Sequence, residues 1–152
     1  MSTTDVSVLP TTIDALLTRW KARPSLAGVK IGTAPASDDQ ATEIVHLEDI
    51  GGWEIIHRSM GGGRPTVARE EDGPVPWVIT VRSRTDAIDS LNRAMAITNE
   101  LLLEIAENPQ LGGTVTGLIA VTGDSLSVEL EQAERKAKTT ITMNLRVRGK
   151  LR

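Results

Sequence analysis

Apolar residues recur along this chain in two rhythms, and each predicts a different kind of element. At three- and four-residue steps, Ile13, Leu16, Leu17 and Trp20 mark one side of a helix over residues 11–23. Thr11 or Thr12 is its expected cap. Pro24 is its stop, because a proline pushes the residue before it out of the helical region. The same rhythm returns at Ile88, Leu91, Met95, Leu102 and Ile105, broken only at Thr98. That predicts a long helix over 85–108, capped by Thr85 or Asp86 and ended by Pro109 and Gly112-Gly113. Elsewhere the rhythm is two. Trp77, Ile79 and Val81 alternate with Thr80, Arg82 and Arg84. Ile141, Met143, Leu145 and Val147 alternate with Thr140, Thr142, Asn144, Arg146 and Arg148.

Glycine pairs suggest how the strands connect. A short strand is expected within 27–35. Gly51-Gly52 reads as a tight hairpin turn between strands over 42–50 and 53–60, with Val45 and Leu47 on one face and His46, Glu48 and Ile50 on the other. Gly123-Asp124 reads as a second such turn, joining 114–121 to 125–132. Helices that do not alternate with strands argue against a doubly wound parallel sheet. The expected fold is therefore α+β: one mainly antiparallel sheet, a long helix on one face and a shorter N-terminal helix. Residues 1–11 read as a flexible arm and 12–152 as one domain, interrupted by a mobile loop at 59–74. One internal echo is present. Residues 16–28 and 101–113 share Leu-Leu, six residues, Pro, one residue, Leu, one residue, Gly, which the rules for stopping a helix account for without a duplication.

Composition narrows the possible functions. The 152 residues hold no Cys, which excludes disulfides, thiolate catalysis and thiolate metal sites. There is no Phe or Tyr, and Trp20, Trp53 and Trp77 are the only aromatics, so no platform for stacking unpaired bases can be built. The net charge of −3 gives no general attraction to nucleic acid or an anionic membrane. Apolar runs are too short to span a bilayer, and the first residues lack the pattern of a signal peptide. The expectation is a soluble chain, made in the cytoplasm, with no membrane partner.

The oddest stretch is "SMGGGRPTVAREEDGPVP", residues 59–76. It fails as a phosphate loop, because Gly61-Gly62-Gly63 is followed by Arg64-Pro65 and then another strand, not by Gly-Lys-Ser/Thr and a helix. It fails as a dinucleotide fingerprint too, since Thr66 stands where the third glycine belongs. What remains is a connector, or a loop that orders against a partner. His46 and His57 would face each other across the Gly51-Gly52 hairpin, but without a clear third ligand a solvated cross-strand pair accounts for them. "GDSLS" lacks the second glycine of a nucleophile elbow. Glu70-Glu71-Asp72 reads as a solvated acid run. No residue is assigned to catalysis, to a metal or to a cofactor, and the chain is not expected to be an enzyme. At the C-terminus, Arg146, Arg148, Lys150 and Arg152 fall on alternate positions. They form the outer face of a strand or a strip for an acidic partner, and any DNA contact there would be blind to sequence.

The order of these pieces resembles a known family. An opening helix "IDALLTRW" precedes a strand hairpin. The loop "GGGRPTVAREED", the strand "PWVITVRSR", the helix segment "AIDSLNRAMAITNELLLEIAENPQLGGTV" and a closing antiparallel pair follow. This is similar to the tail terminator (tail completion, head–tail joining) proteins of long-tailed bacteriophages over most of residues 12–149, with 70–115 the most specific part. The resemblance implies a small α+β subunit in a ring, typically hexameric, at the head-proximal end of the tail tube. It implies the tail tube protein and a head-completion or neck protein as partners, DNA passing through the hole with at most non-specific contact, and residence in the virion after assembly in the host cytoplasm. It implies no catalytic residues and no cofactor. Loop residues Gly61, Gly62, Gly63, Arg64, Arg69, Glu70 and Glu71 would contact neighbouring subunits or the tube, and Arg146 and Arg148 would fix register from the closing strand. A head–tail connector or neck subunit is the alternative within the same class. A small metal-binding or DNA-binding protein lies outside it. The lack of Phe and Tyr departs from the family's usual aromatic anchors.

Overall fold

A computed structural model describes residues 7–34, 42–59, 67–83, 86–111, 118–133 and 136–151. Within them the chain runs α1 (Leu9–Lys21), a 3-10 turn (Pro24–Leu26), β1 (Lys30–Gly32), β2 (Glu43–Leu47), β3 (Glu54–Ser59), β4 (Val67–Ser83), α2 (Ala87–Glu107), β5 (Leu118–Ala133) and β6 (Lys136–Leu151). The strands form one six-stranded sheet in the order β1-β2-β4-β6-β5, with β3 also paired to β4. Only the short β1–β2 pairing is parallel. The α+β architecture read from the sequence is the observed one.

The spine is β4, at 17 residues. One side of it pairs with β6 along the whole stretch from Arg69–Leu151 to Ser83–Ala137. The other side is shared end to end. β3 takes Val67 to Asp72 and β2 takes Trp77 to Val81. This corrects the expected Gly51-Gly52 hairpin, since β2 and β3 meet β4 and not each other. It also corrects the loop expected at 59–74. Residues 67–74 are strand, Ser59 ends β3, and 60–66 lie outside the described residues.

The reason is visible at Pro74 and Pro76. They fall in the interval between β3 and β2, where β4 has no strand partner on that side. Glu48 N donates to Pro76 O across 3.0 Å, so the carbonyl and the missing N–H of residue 76 point to the gap, and those of residue 74 point the same way. A proline is tolerated in a strand where its absent donor faces no ladder. The Gly123-Asp124 turn is corrected as well. β5 runs through it as one strand with a bulge between Gly123 and Ser125.

Both helices lie on one face of the sheet. α1 starts earlier than expected, with Val8 and not Thr11 or Thr12 at its cap position and Pro10 in its first turn. Thr12 is buried, and its hydroxyl donates to Val8 O at 2.7 Å. Leu16 and Trp20 are buried beneath α1, with Ile13 and Leu17 half-buried beside them. Trp20 meets Trp77 edge to face, ring centroids 4.8 Å apart. α2 is capped as expected by Asp86, whose carboxylate accepts from Ile88 N at 3.0 Å. Its inward face, however, is Ala87, Ser90, Ala94, Ile97, Leu101 and Ile105, not the Ile88–Met95 stripe. In both copies of the internal echo the leucine after the proline is a buried anchor, Leu26 and Leu111.

Candidate assembly surface

The rotation of α2 away from its expected face leaves two unlike flanks, half a helical turn apart. One is charged and ion-paired within the chain. Arg93 pairs with Glu43 of β2, bonding Oε1 at 3.2 Å as well as Oε2. Arg23, just past α1, donates to Glu104 Oε2 at 2.8 Å and to Glu100 Oε2 at 2.9 Å, while Arg19 reaches Glu104 Oε1 at 3.0 Å. Ser25 Oγ also donates to Glu100 at 2.9 Å. The Arg23 hydrogen bond, then that of Ser25, hold the Glu100 carboxyl below its ordinary value. These contacts fix α2 against α1 and β2.

The other flank is apolar and uncovered. Ile88 is 61% exposed and Met95 45% exposed, in line with the half-buried Leu91 and Leu102. This flank looks towards β5. Leu102 shares an open pocket of about 350 Å³ with Leu126 and Met143, and a Cβ on Gly123 would sit 3.1 Å from Leu102 Cδ2.

β5 is the sheet edge on that side, and it is bare on both faces from Thr122 to Ala133. Leu126, Val128 and Leu130 pair across to Met143, Ile141 and Thr139, the residues of β6 that α2 covers. The Ser90–Thr139 hydroxyl contact at 2.8 Å fixes which face this is. These three side chains are therefore on the helix side of the sheet, yet 45–48% exposed, because α2 stops short of them. With Ile88 and Met95 on the facing flank of α2, they make an uncovered apolar channel around the pocket at Leu102, Leu126 and Met143. Natural edge strands are usually protected by charged side chains (lysine above all), proline, bulges or shortness, and β5 has a bulge and three acids but is long. The strand Leu118–Ala133 is 16 residues long and contains no Lys, Arg or Pro. Its charges are Asp124, Glu129 and Glu131, and the two glutamates lie on the face away from the helices.

The residues expected at an interface from the sequence lie away from this channel or outside the described residues. Gly61, Gly62, Gly63 and Arg64 lie outside the described residues. Arg69 pairs by its backbone with His57 and Leu151. Glu70 is half-buried in β4. Glu71 is no part of a solvated acid run. It is 3% exposed and accepts from Ser7 Oγ at 2.7 Å, Val8 N at 3.0 Å and Trp53 Nε1 at 3.1 Å. It thereby ties the start of α1 to the sheet, at the end of the helix that favours negative charge. Arg146 and Arg148 are exposed on the helix-free face and converge on Asp72, Arg146 at 2.7 Å.

The His46–His57 juxtaposition does not occur. His46 lies opposite Val78, and His57 opposite Arg69. Among the described residues no three His, Asp or Glu groups gather as a metal site, and no helix is long and apolar enough to cross a membrane. The sequence does carry a signal for this exposed edge. "SLSVELEQ" alternates Leu126, Val128 and Leu130 with serine and glutamate, and no basic residue protects it.

No family model matches the chain, and no curated protein matches it in sequence. Among solved structures, a chain from the virion of a native gene transfer agent particle is similar in fold. The TM-score is 0.51 at 14% identity, over 95% of this chain and all of that one.

Proposed function

We propose that this chain is a non-catalytic structural subunit of a phage-like virion and that it forms the ring that ends a tail tube and joins it to the head. The observation that carries this is the uncovered channel between α2 and β5. It is an apolar surface beside a long exposed sheet edge, suited to another protein and too open for a small ligand. The likeness in fold to a chain of a virion particle supports the setting. So does the resemblance of the sequence to tail terminator proteins.

The mechanism follows from cyclic assembly. Each subunit offers two different patches, and a closed circle leaves none free at its rim. One flat side of the ring then matches the last layer of the tube. The other must resemble tube protein too little to accept a further layer, which is how polymerisation ends. DNA would pass through the hole.

The test is to mix the purified chain with polymerising tail tube protein and view the tubes by negative stain. A terminator gives tubes of arrested length with one capped end. Rings that form while tubes grow unchecked point to a neck subunit, and neither rings nor caps would end the assembly reading. Val128→Asp, which puts a charge into the apolar channel, should abolish capping while leaving the far-UV spectrum unchanged.

A further inference from the structure

The two edges of the sheet can be traced to each other through paired rows. One row runs Glu129–Thr140–Thr80–Ile44–Lys30, crossing β5, β6, β4, β2 and β1. An acid stands at one end of it and a base at the other, on the same face. The next row runs Val128–Ile141–Ile79–Val45–Ile31, on the helix side. Strand directions alternate from β2 to β5, and β1 is parallel to β2. β5 and β1 therefore run in opposite directions. Charge follows the same division. The strand Leu118–Ala133 contains three acids and no base, whereas β1 (Lys30–Gly32) contains a base and no acid.

We infer that the partner of the β5 edge is the β1 edge of a second copy of this chain, joined as an antiparallel pair with Glu129 beside Lys30 of that copy. This rests on the ring reading and names the surface that closes it. Main-chain bonds between the edges give affinity, and the paired charges give register. The sheet continues with its faces unchanged, so α1 of the neighbour comes to the helix side and covers Leu126, Val128 and Leu130. A row that continues into its own counterpart makes a head-to-tail contact that repeats from copy to copy, as a ring requires. The competing arrangement, β5 against β5 about a two-fold axis, sets acid against acid and is disfavoured.

Two charge reversals and their mixture test this by mass photometry at low salt. Glu129→Lys with Glu131→Lys makes both edges basic, and Lys30→Glu makes both acidic. Each protein alone should associate more weakly than the parent by about tenfold or more, because like charges then meet. An equimolar mixture should recover assemblies larger than dimers, since every contact is again complementary. Thermal unfolding of each variant at low concentration serves as the control for folding.

The contact is overturned if Lys30→Glu associates like the parent, or if the mixture stops at dimers, which is the signature of β5 against β5. Either result leaves the ring itself standing when the parent still forms one. A parent chain that stays monomeric at every concentration, with and without tail tube protein, overturns both the contact and the ring.

Discussion

Trp20 and Trp77 touch each other at the centre of the core and differ in one hydrogen bond. Trp20 Nε1 donates to Leu101 O at 3.2 Å, whereas the buried Trp77 Nε1 has no partner among the described residues. Replacing an unsatisfied donor removes a desolvation cost, and replacing a satisfied one removes a bond. Trp77→Phe should therefore be milder than Trp20→Phe by about 1 kcal/mol in urea unfolding. Equal losses would mean that the edge-to-face contact dominates both. A second residue-scale effect concerns acid. Glu100 has a folded pKa below its ordinary 4.5, so its contribution is present above that pH and is lost as pH falls through the folded value. Glu100→Gln should lower stability slightly near neutrality and flatten its further loss below pH 4.5, as followed by urea melts across pH. An unchanged acid limb would show the pair to be fully screened by solvent. Glu71 illustrates what no local reading supplies. Its neighbours Glu70 and Asp72 suggest a solvated run, and its three donors come from distant parts of the chain.

At the scale of elements, the kind and position of the helices and of β6 were legible, because their periods are clean over many residues. The face of α2 was not. Its apolar residues occupy both the buried side and the flank towards β5, and a stripe drawn through Ile88, Leu91, Met95 and Leu102 picks out the flank. Small residues, Ala87, Ser90 and Ala94, form much of the true inward face, where close approach to the sheet favours them. The length of β4 was hidden by Gly73, Pro74 and Pro76, which signal a loop unless the gap between β3 and β2 is known. Gly73 has a further role. A Cβ there would lie 2.6 Å from Trp53 Cε3, so the indole rests directly on the strand. Gly73→Ala should displace Trp53, disturb its bond to Glu71 and cost about 1–3 kcal/mol. Denaturant melts and tryptophan fluorescence check both parts. An unshifted spectrum with full stability would show that the ring moves aside freely.

For the whole molecule, the fold class was in the sequence and the proposed partner surface was there only as a pattern without a location. That "SLSVELEQ" alternates is plain, but alternation alone does not say that β5 ends the sheet or that α2 leaves it open. Association linked to folding should make the unfolding midpoint rise with protein concentration, and Val128→Asp should remove that dependence. A midpoint constant over a hundredfold dilution series would argue that the surface engages only other proteins. The long β4–β6 ladder carries one more consequence. Tension applied along the strands would have to shear all of its hydrogen bonds together, whereas tension across them would unzip the bonds one by one. The molecule is thus mechanically anisotropic, stiffest along the spine, and a pulling experiment from its two strand ends should meet far greater resistance than one that peels β5 sideways.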